Sequence, residues 1–253
     1  MLTNASEYTR MADAEGKLWW YRALHNLVRE AVAAHSKGTE ARILDAGCGT
    51  GGLMQCLARQ GYRNVSGFDL SPFAIEICRQ RGLNARQGDL RDVNSGSSKW
   101  DVIVSNDTLY YFSDSATQER IVRSFWQILA PGGLLILNLP ALRCFRGRHD
   151  QAVGIKRRFS QEDVPRLLTP VGFKVVSSRY WPFLLSPLIF AVRFTQRLNT
   201  AFSKSDATAA SDTRVPPRWL NELFAGITRF ETTRLRAAPF GSSLFVVAGR
   251  PGG

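Results

Sequence analysis

Residues 43–51 read ILDAGCGTG and Gly52 follows, so one short loop satisfies two glycine spacings at once. Gly47, Gly49 and Gly52 match the G-x-G-x-x-G turn that cradles a dinucleotide's pyrophosphate, whereas Gly47, Gly49 and Gly51 match a tighter G-x-G-x-G loop. Both need glycine for the same reasons: positive φ costs it nothing, and without a Cβ the backbone approaches a ligand closely. The loop by itself leaves its ligand open.

Outward from the loop the chain alternates. ARILDA (41–46) reads as a strand, GLMQCLARQG (52–61) as a helix and NVSGFD (64–69) as a second strand. A helix opens at Ser71-Pro72, where serine caps and proline suits the first turn. WDVIVSN (100–106) is a further strand, about 115–129 a helix, PGGLLILNLP (131–140) a turn entering a buried strand, and a helix starts near Ser160. GFKVVSSRYW (172–181) and SSLFVVAGR (242–250) complete the strands. Upstream, a helix from about Lys17 to Ala34 carries Trp20, Leu24, Leu27, Val28 and Ala31 on one stripe. Strands alternating with helices predict an α/β fold with a mostly parallel sheet covered on both faces, and ligands there sit beyond the carboxyl ends of the strands.

The acidic residues around the loop discriminate between ligands. Asp69 ends the second strand, 18 residues after Gly51, where a carboxylate accepts from both ribose hydroxyls of either cofactor. Asp45 stands two residues before the first glycine, where it would repel a pyrophosphate but suits a cation. S-adenosylmethionine has no phosphate and carries a sulfonium and an ammonium. Asp89, in QGDL, adds a carboxylate placed to accept from an adenine amino group or, alternatively, to cap a helix.

Taken together, ILDAGCGTG, GFDLS, GDL, WDVIVSND and LAPGGLLIL resemble, in order and interval, the class I S-adenosylmethionine-dependent methyltransferases over residues 41–140. The resemblance implies a seven-stranded Rossmann-like sheet whose last strand is antiparallel and lies beside the sixth. It implies S-adenosylmethionine as cofactor and no metal. Asp45 and the backbone of Gly47, Cys48, Gly49 and Gly51 would line the methionine and ribose, Asp69 with Leu70 the ribose hydroxyls, Asp89 with Leu90 the adenine, and Asn106 the methionine portion.

Composition sets the wider bounds. The 253 residues are 44% hydrophobic and 21% charged, an ordinary globular balance with room for one large domain and an elaboration. No apolar leader opens the chain, and Cys48, Cys56, Cys78 and Cys144 lack CxxC spacing, so a cytoplasmic protein without disulfide or zinc is expected. The net charge of +12 is uneven. Residues 45–112 are neutral, whereas residues 141–160 carry Arg143, Arg146, Arg148, Lys156, Arg157 and Arg158 against Asp150. Such a cluster is a solvated face or a counter-charge for an anion. No recognisable RNA-binding motif accompanies it, so no nucleic-acid partner is expected.

Chemistry is less well marked than cofactor binding. After the fourth strand the chain reads NDTLYYF, not the Asn/Asp-Pro-Pro-aromatic motif of enzymes that methylate base amines. Tyr111 stands where related small-molecule enzymes place a histidine. His149 in RGRHDQ is the remaining base candidate, with Asp150 to orient it, and Arg143 and Arg148 are candidate anion contacts. Tyr21 belongs to an amino-terminal helical lid, residues 1–36, that related enzymes fold over the cofactor. Residues 181–240 depart from the minimal fold as two helices joined by a polar stretch. They form an insert between the main domain's 1–180 and 241–253, read as a substrate cap, a homodimer surface or, through 181–197, a peripheral membrane element. The expected activity is methylation of oxygen or nitrogen on a small anionic metabolite. A lipid-linked or quinone-like acceptor at the membrane surface is the alternative, and a non-catalytic binding or RNA-associated protein a third class.

Overall fold

The run ILDA at Ile43–Ala46 forms strand β1 and is buried along its whole length, as befits a strand flanked on both sides and covered on both faces. In the computed structural model, residues 5–35, 38–93, 99–202, 215–235 and 237–252 are described. Two helices precede β1: α1 (Ala5–Glu15) and α2 (Trp19–His35). After it come α3 (Gly52–Arg59), β2 (Val65–Asp69), α4 (Pro72–Gln80), β3 (Ala85–Gln87), β4 (Trp100–Asn106), α5 (Ser115–Ile128) and β5 (Leu129–Pro140). The chain continues through α6 (Arg148–Val153), α7 (Asp163–Leu168), β6 (Lys174–Trp181), α8 (Ser186–Phe202), α9 (Arg218–Arg234) and β7 (Ser243–Gly249).

The strands make one sheet in the order β3-β2-β1-β4-β5-β7-β6, with β7 antiparallel to both neighbours and the rest parallel. This is the Rossmann-like arrangement the sequence predicts. The order reverses between β1 and β4, so the crevice for a ligand opens where β1 runs into the glycine loop. One face is covered by α5 and α7, with Phe125, Ile121 and Leu168 fully buried; the other by α2 and α3, with Leu24, Val28 and Leu57 against Ile43, Val104 and Ile136. Each such side chain contributes about 1.5–3 kcal/mol by leaving water.

Local signals explain most boundaries. Ser71 accepts the Ala74 N–H at 3.4 Å and Pro72 opens α4; Asp114 accepts the Thr117 N–H at 2.7 Å and opens α5. The helix expected from about Lys17 to Ala34 is α2, and a further helix, α1, precedes it, with the chain turning at Gly16 between them. The segment that carries His149 is the short helix α6. Pro187 sits second in α8, where it lacks an N–H that the helix would not use. Most of the polar stretch at 200–215 lies outside the described residues.

The segment between β6 and β7 is tied to the amino terminus. Asn221 of α9 accepts the Trp19 N–H at 2.9 Å and donates to the Lys17 carbonyl at 2.8 Å, Glu222 pairs with Arg22 at 2.7 Å, and Phe224 meets Trp19 edge to face. Buried Glu231 accepts the N–H groups of Phe183 and Leu184 at 2.7 and 2.8 Å and so fixes the entry into α8.

Candidate active site

The glycine loop turns sharply, with φ of 86° at Gly47, 52° at Gly49 and 85° at Gly51. Its amides are already used: Gly47 and Cys48 both donate to the Phe68 carbonyl at 2.9 Å, and Gly49 donates to Asp69 Oδ2 at 3.0 Å. A pyrophosphate would sit at the start of α3. That place is filled by Glu15 at the end of α1, which accepts from the Gly52 backbone, from Thr50 Oγ1 at 2.5 Å and from Arg81 at 2.9 Å. A Cβ on Gly52 would lie 2.7 Å from that carboxylate. The third glycine of the dinucleotide spacing therefore makes room for the protein's own anion.

Beyond the loop lies a cavity of about 770 Å³, ample for a cofactor and part of a second molecule. Its lining includes the carboxylates Glu7, Glu15, Asp45, Asp69, Asp89 and Asp107. Asp45 is buried, and desolvation with help from Glu15 and Asp69 pushes its carboxyl up to about 8; Asp69 is also raised by burial, although the amides of Ser71 and Gly49 oppose this. Asn106 lines the same cavity, and its buried Oδ1 has no hydrogen-bond partner among the described residues. Clustered carboxylates and an orphaned carbonyl oxygen fit a cationic ligand and oppose a phosphate.

Asp69 accepts the Gly49 and Ser71 amides at 3.0 and 2.9 Å, so it braces the loop while its remaining lone pairs face the cavity. Leu70 and Leu90 line the wall beside it. Asp89 lines the cavity too, but caps the turn at Leu90–Asp92 by accepting the Arg91 N–H at 2.8 Å, and the Arg91 guanidinium holds its carboxyl below the usual range. An adenine amino group would share that carboxylate.

Much of the remaining lining is aromatic and aliphatic: Trp20, Tyr21, Tyr110, Tyr111 and Phe224, with Leu188, Ile189 and Val192 of α8. Burial raises the Tyr21 hydroxyl strongly and the Tyr111 hydroxyl to about 12, so both are neutral near pH 7 and orient rather than deprotonate. Tyr110 donates to Tyr111 at 3.2 Å.

His149 lines the cavity, and its neighbour Asp150 is buried. Both Asp150 oxygens are held by Arg158 in a buried fork at 2.7 and 2.8 Å. Arg143 and Arg148 are absent from the lining, and Arg143 and Arg146 are exposed beside α8. The arginines that do line the cavity among the described residues are Arg158 and Arg193. A run of like charges in sequence does not say which members turn inward; pairing with Asp150 and packing of the Arg193 stem over Gly147 decide it. Sequence reasoning also passed over Glu15, His25 and Asp107. The His25 imidazole, lowered to about 4 by burial, is a neutral wall residue whose only signal was its place one turn after Tyr21.

Residues 18–178 match the family described as a methyltransferase domain. Among curated relatives, the ubiquinone biosynthesis O-methyltransferase of Xanthomonas oryzae pv. oryzae is 30% identical over 138 residues, covering 51% of this chain and 55% of that protein. The trans-aconitate 2-methyltransferase of Mycobacterium tuberculosis is 36% identical over 101 residues, covering 39% and 37%. The chain thus spans about half the length of the ubiquinone-biosynthesis relatives it matches. In solved structures the fold recurs in magnesium protoporphyrin IX methyltransferase from Synechocystis with bound SAH (TM-score 0.59, 15% identity, 98% of this chain and 95% of that one). It recurs also in an S-adenosylmethionine-dependent methyltransferase from Clostridium acetobutylicum (TM-score 0.57, 14% identity, 92% of each).

Proposed function

The chain belongs to the methyltransferase-domain family, and from that premise we propose that it transfers the methyl group of S-adenosylmethionine to a hydroxyl of a small, largely apolar acceptor held in the same cavity. The observation that carries this reading is a single cavity lined both by the carboxylates Asp45 and Asp69 and by the aromatic side chains Trp20, Tyr21, Tyr111 and Phe224. When bound, the cofactor supplies an electrophilic methyl carbon on a sulfonium. Asp45 and the Asn106 carbonyl oxygen would hold that cation and Asp69 would accept from the ribose hydroxyls, while Gly47 and Gly49 let the backbone lie against the cofactor. Tyr21, Tyr111 and Trp20 position the acceptor and exclude water, and holding donor and nucleophile in line supplies much of the acceleration.

Calorimetry with S-adenosylhomocysteine tests the cofactor half. The expected result is binding by the parent, none of NADH, and weaker binding by Asp69→Ala by about 1.5–3 kcal/mol per lost charge-assisted bond. Unchanged affinity in Asp69→Ala would sink the assignment of that residue.

An anionic acceptor is the second reading, supported by Arg193 at the lining rather than by Arg143 or Arg148, since Arg158 is paired with Asp150. Equal methylation of an acid and its neutral ester would rule against it. Approach from a membrane surface is supported by the exposed Leu184, Leu188, Phe190 and Phe194 at the cap, beside exposed Arg143 and Arg146. No helix among the described residues is long and apolar enough to cross a bilayer. Flotation with anionic vesicles, abolished by high salt, is the expected outcome; no flotation at any salt would oppose it.

A further inference from the structure

Asp107 follows the strand-ending Asn106 and holds φ of 53°, a left-handed conformation that few residues other than glycine take and that collects at functional sites. Two bonds to one neighbour hold it there. Its N–H donates to the Asn138 carbonyl and its Oδ2 accepts from Asn138 Nδ2, both at 2.9 Å. Asn138 is fully buried on β5, and its Oδ1 accepts the Trp181 indole N–H at 2.9 Å. An indole N–H can only donate, so the Asn138 amide has a single workable orientation, with its NH₂ toward Asp107. Trp181 is itself stacked on Trp20 at 5.5 Å. The relay from Trp181 through Asn138 thus fixes one carboxylate oxygen, while no hydrogen bond engages Asp107 Oδ1 among the described residues and the side chain lines the cavity.

The groups that face this carboxylate are the Arg158 guanidinium and the hydroxyls of Tyr21, Tyr110 and Tyr111. Burial pushes its carboxyl up to about 7, against the Asn138 bond and Arg158, which favour the charged form. A base poised there is matched to neutral pH. Tyr111, held neutral, is not.

We propose that Asp107 is the general base of the transfer, its Oδ1 taking the proton of the acceptor hydroxyl as that oxygen attacks the methyl carbon. The oxygen–carbon bond forms as the carbon–sulfur bond breaks, the electron pair stays on sulfur, and the proton rests on Asp107 until it passes to solvent with product release. Asn138 is a positioning residue. The inference rests on the methyltransferase reading above.

The test uses the full chain as parent, Asp107→Asn and Asn138→Leu, with S-adenosylhomocysteine binding, infrared titration of carboxyl groups, and methylation of catechol as a probe acceptor across pH. Asp107→Asn is expected to bind S-adenosylhomocysteine within about twofold of the parent, to lose the carboxyl that titrates near neutrality, and to lose about 10²–10⁴-fold in turnover together with the acidic limb of the pH profile. Asn138→Leu keeps the carboxyl but moves its titration and that limb upward by about one unit, and it carries the test should Asp107→Asn not fold. Parent-like turnover with an intact acidic limb in Asp107→Asn overturns the base, as does the absence of any near-neutral carboxyl that this variant removes. The infrared result decides if catechol is not turned over. Failure of the parent to bind S-adenosylhomocysteine would instead overturn the underlying reading of the site.

Discussion

Asp45 sits at the end of β1 out of reach of water, with its carboxyl raised from 3.8 to about 8 by burial and by the nearby Glu15 and Asp69. The folded protein therefore keeps a proton between those values that the unfolded chain has lost. Asp45's contribution to stability is full below about pH 4 and is lost as pH rises toward 8. A bound cation reverses the preference, because it favours the charged carboxylate. S-adenosylmethionine binding is then expected to release a proton at pH 7 and to tighten as pH rises toward 8, and Asp45→Asn should abolish that release. Calorimetry in two buffers of different ionisation enthalpy reads it; buffer-independent heats would contradict it. Gly52 yields a second expectation. Because a Cβ there would lie 2.7 Å from the Glu15 carboxylate and 2.8 Å from its Cβ, Gly52→Ala should cost about 1–3 kcal/mol of stability by thermal melting, although alanine is the better helix former.

At the scale of elements, α1 is held over the loop by a latch that joins three parts of the chain. Glu15 bonds Thr50 and Arg81, and Arg81 also reaches the Thr50 and Ala12 carbonyls at 2.7 and 2.9 Å. Glu15→Leu breaks a largely buried pair and should cost on the order of 3 kcal/mol, the low end of the usual range because Arg81 keeps some solvent. Protease should then cut within residues 5–15 of the variant before it cuts the sheet; simultaneous loss of both would mean that α1 and the sheet open as one unit. The latch also shows where sequence reading stops. The strands, the glycine loop and the Ser71-Pro72 helix start were legible because each rests on neighbours in sequence: a hydrophobic run, a turn residue, a cap. Glu15 was illegible because its partners lie 35 and 66 residues away. Asp107 was hidden likewise, since its signals are a backbone angle and a relay through Asn138 and Trp181. The charge run at 141–160 was visible, yet only the fold separates Arg158, which turns inward, from Arg143, which stays in solvent.

For the whole molecule, the arrangement sets what a change in one half does to the other. The cavity lining draws on β1, β2, β4 and α1 and also on α8 and α9, and Asn221 and Glu222 of α9 tie that helix to residues 17–22. Asn221→Ala should loosen the α9 contact and raise the Michaelis constant for acceptor while leaving S-adenosylhomocysteine affinity within about twofold. A matching loss of cofactor affinity would show that acceptor and cofactor binding are not separable. The segment from 182 to 242 leaves the sheet at Trp181 and returns at Ser243, and those two residues are register partners across β6 and β7. Its ends are thus stapled together by the sheet whatever lies between. The free energy of closing such an excursion grows only with the logarithm of its length, about 0.6 kcal/mol for each doubling. Evolution can therefore rewrite the roof of the cavity in steps that the sheet hardly registers, and a scaffold with one fixed donor can try many acceptors.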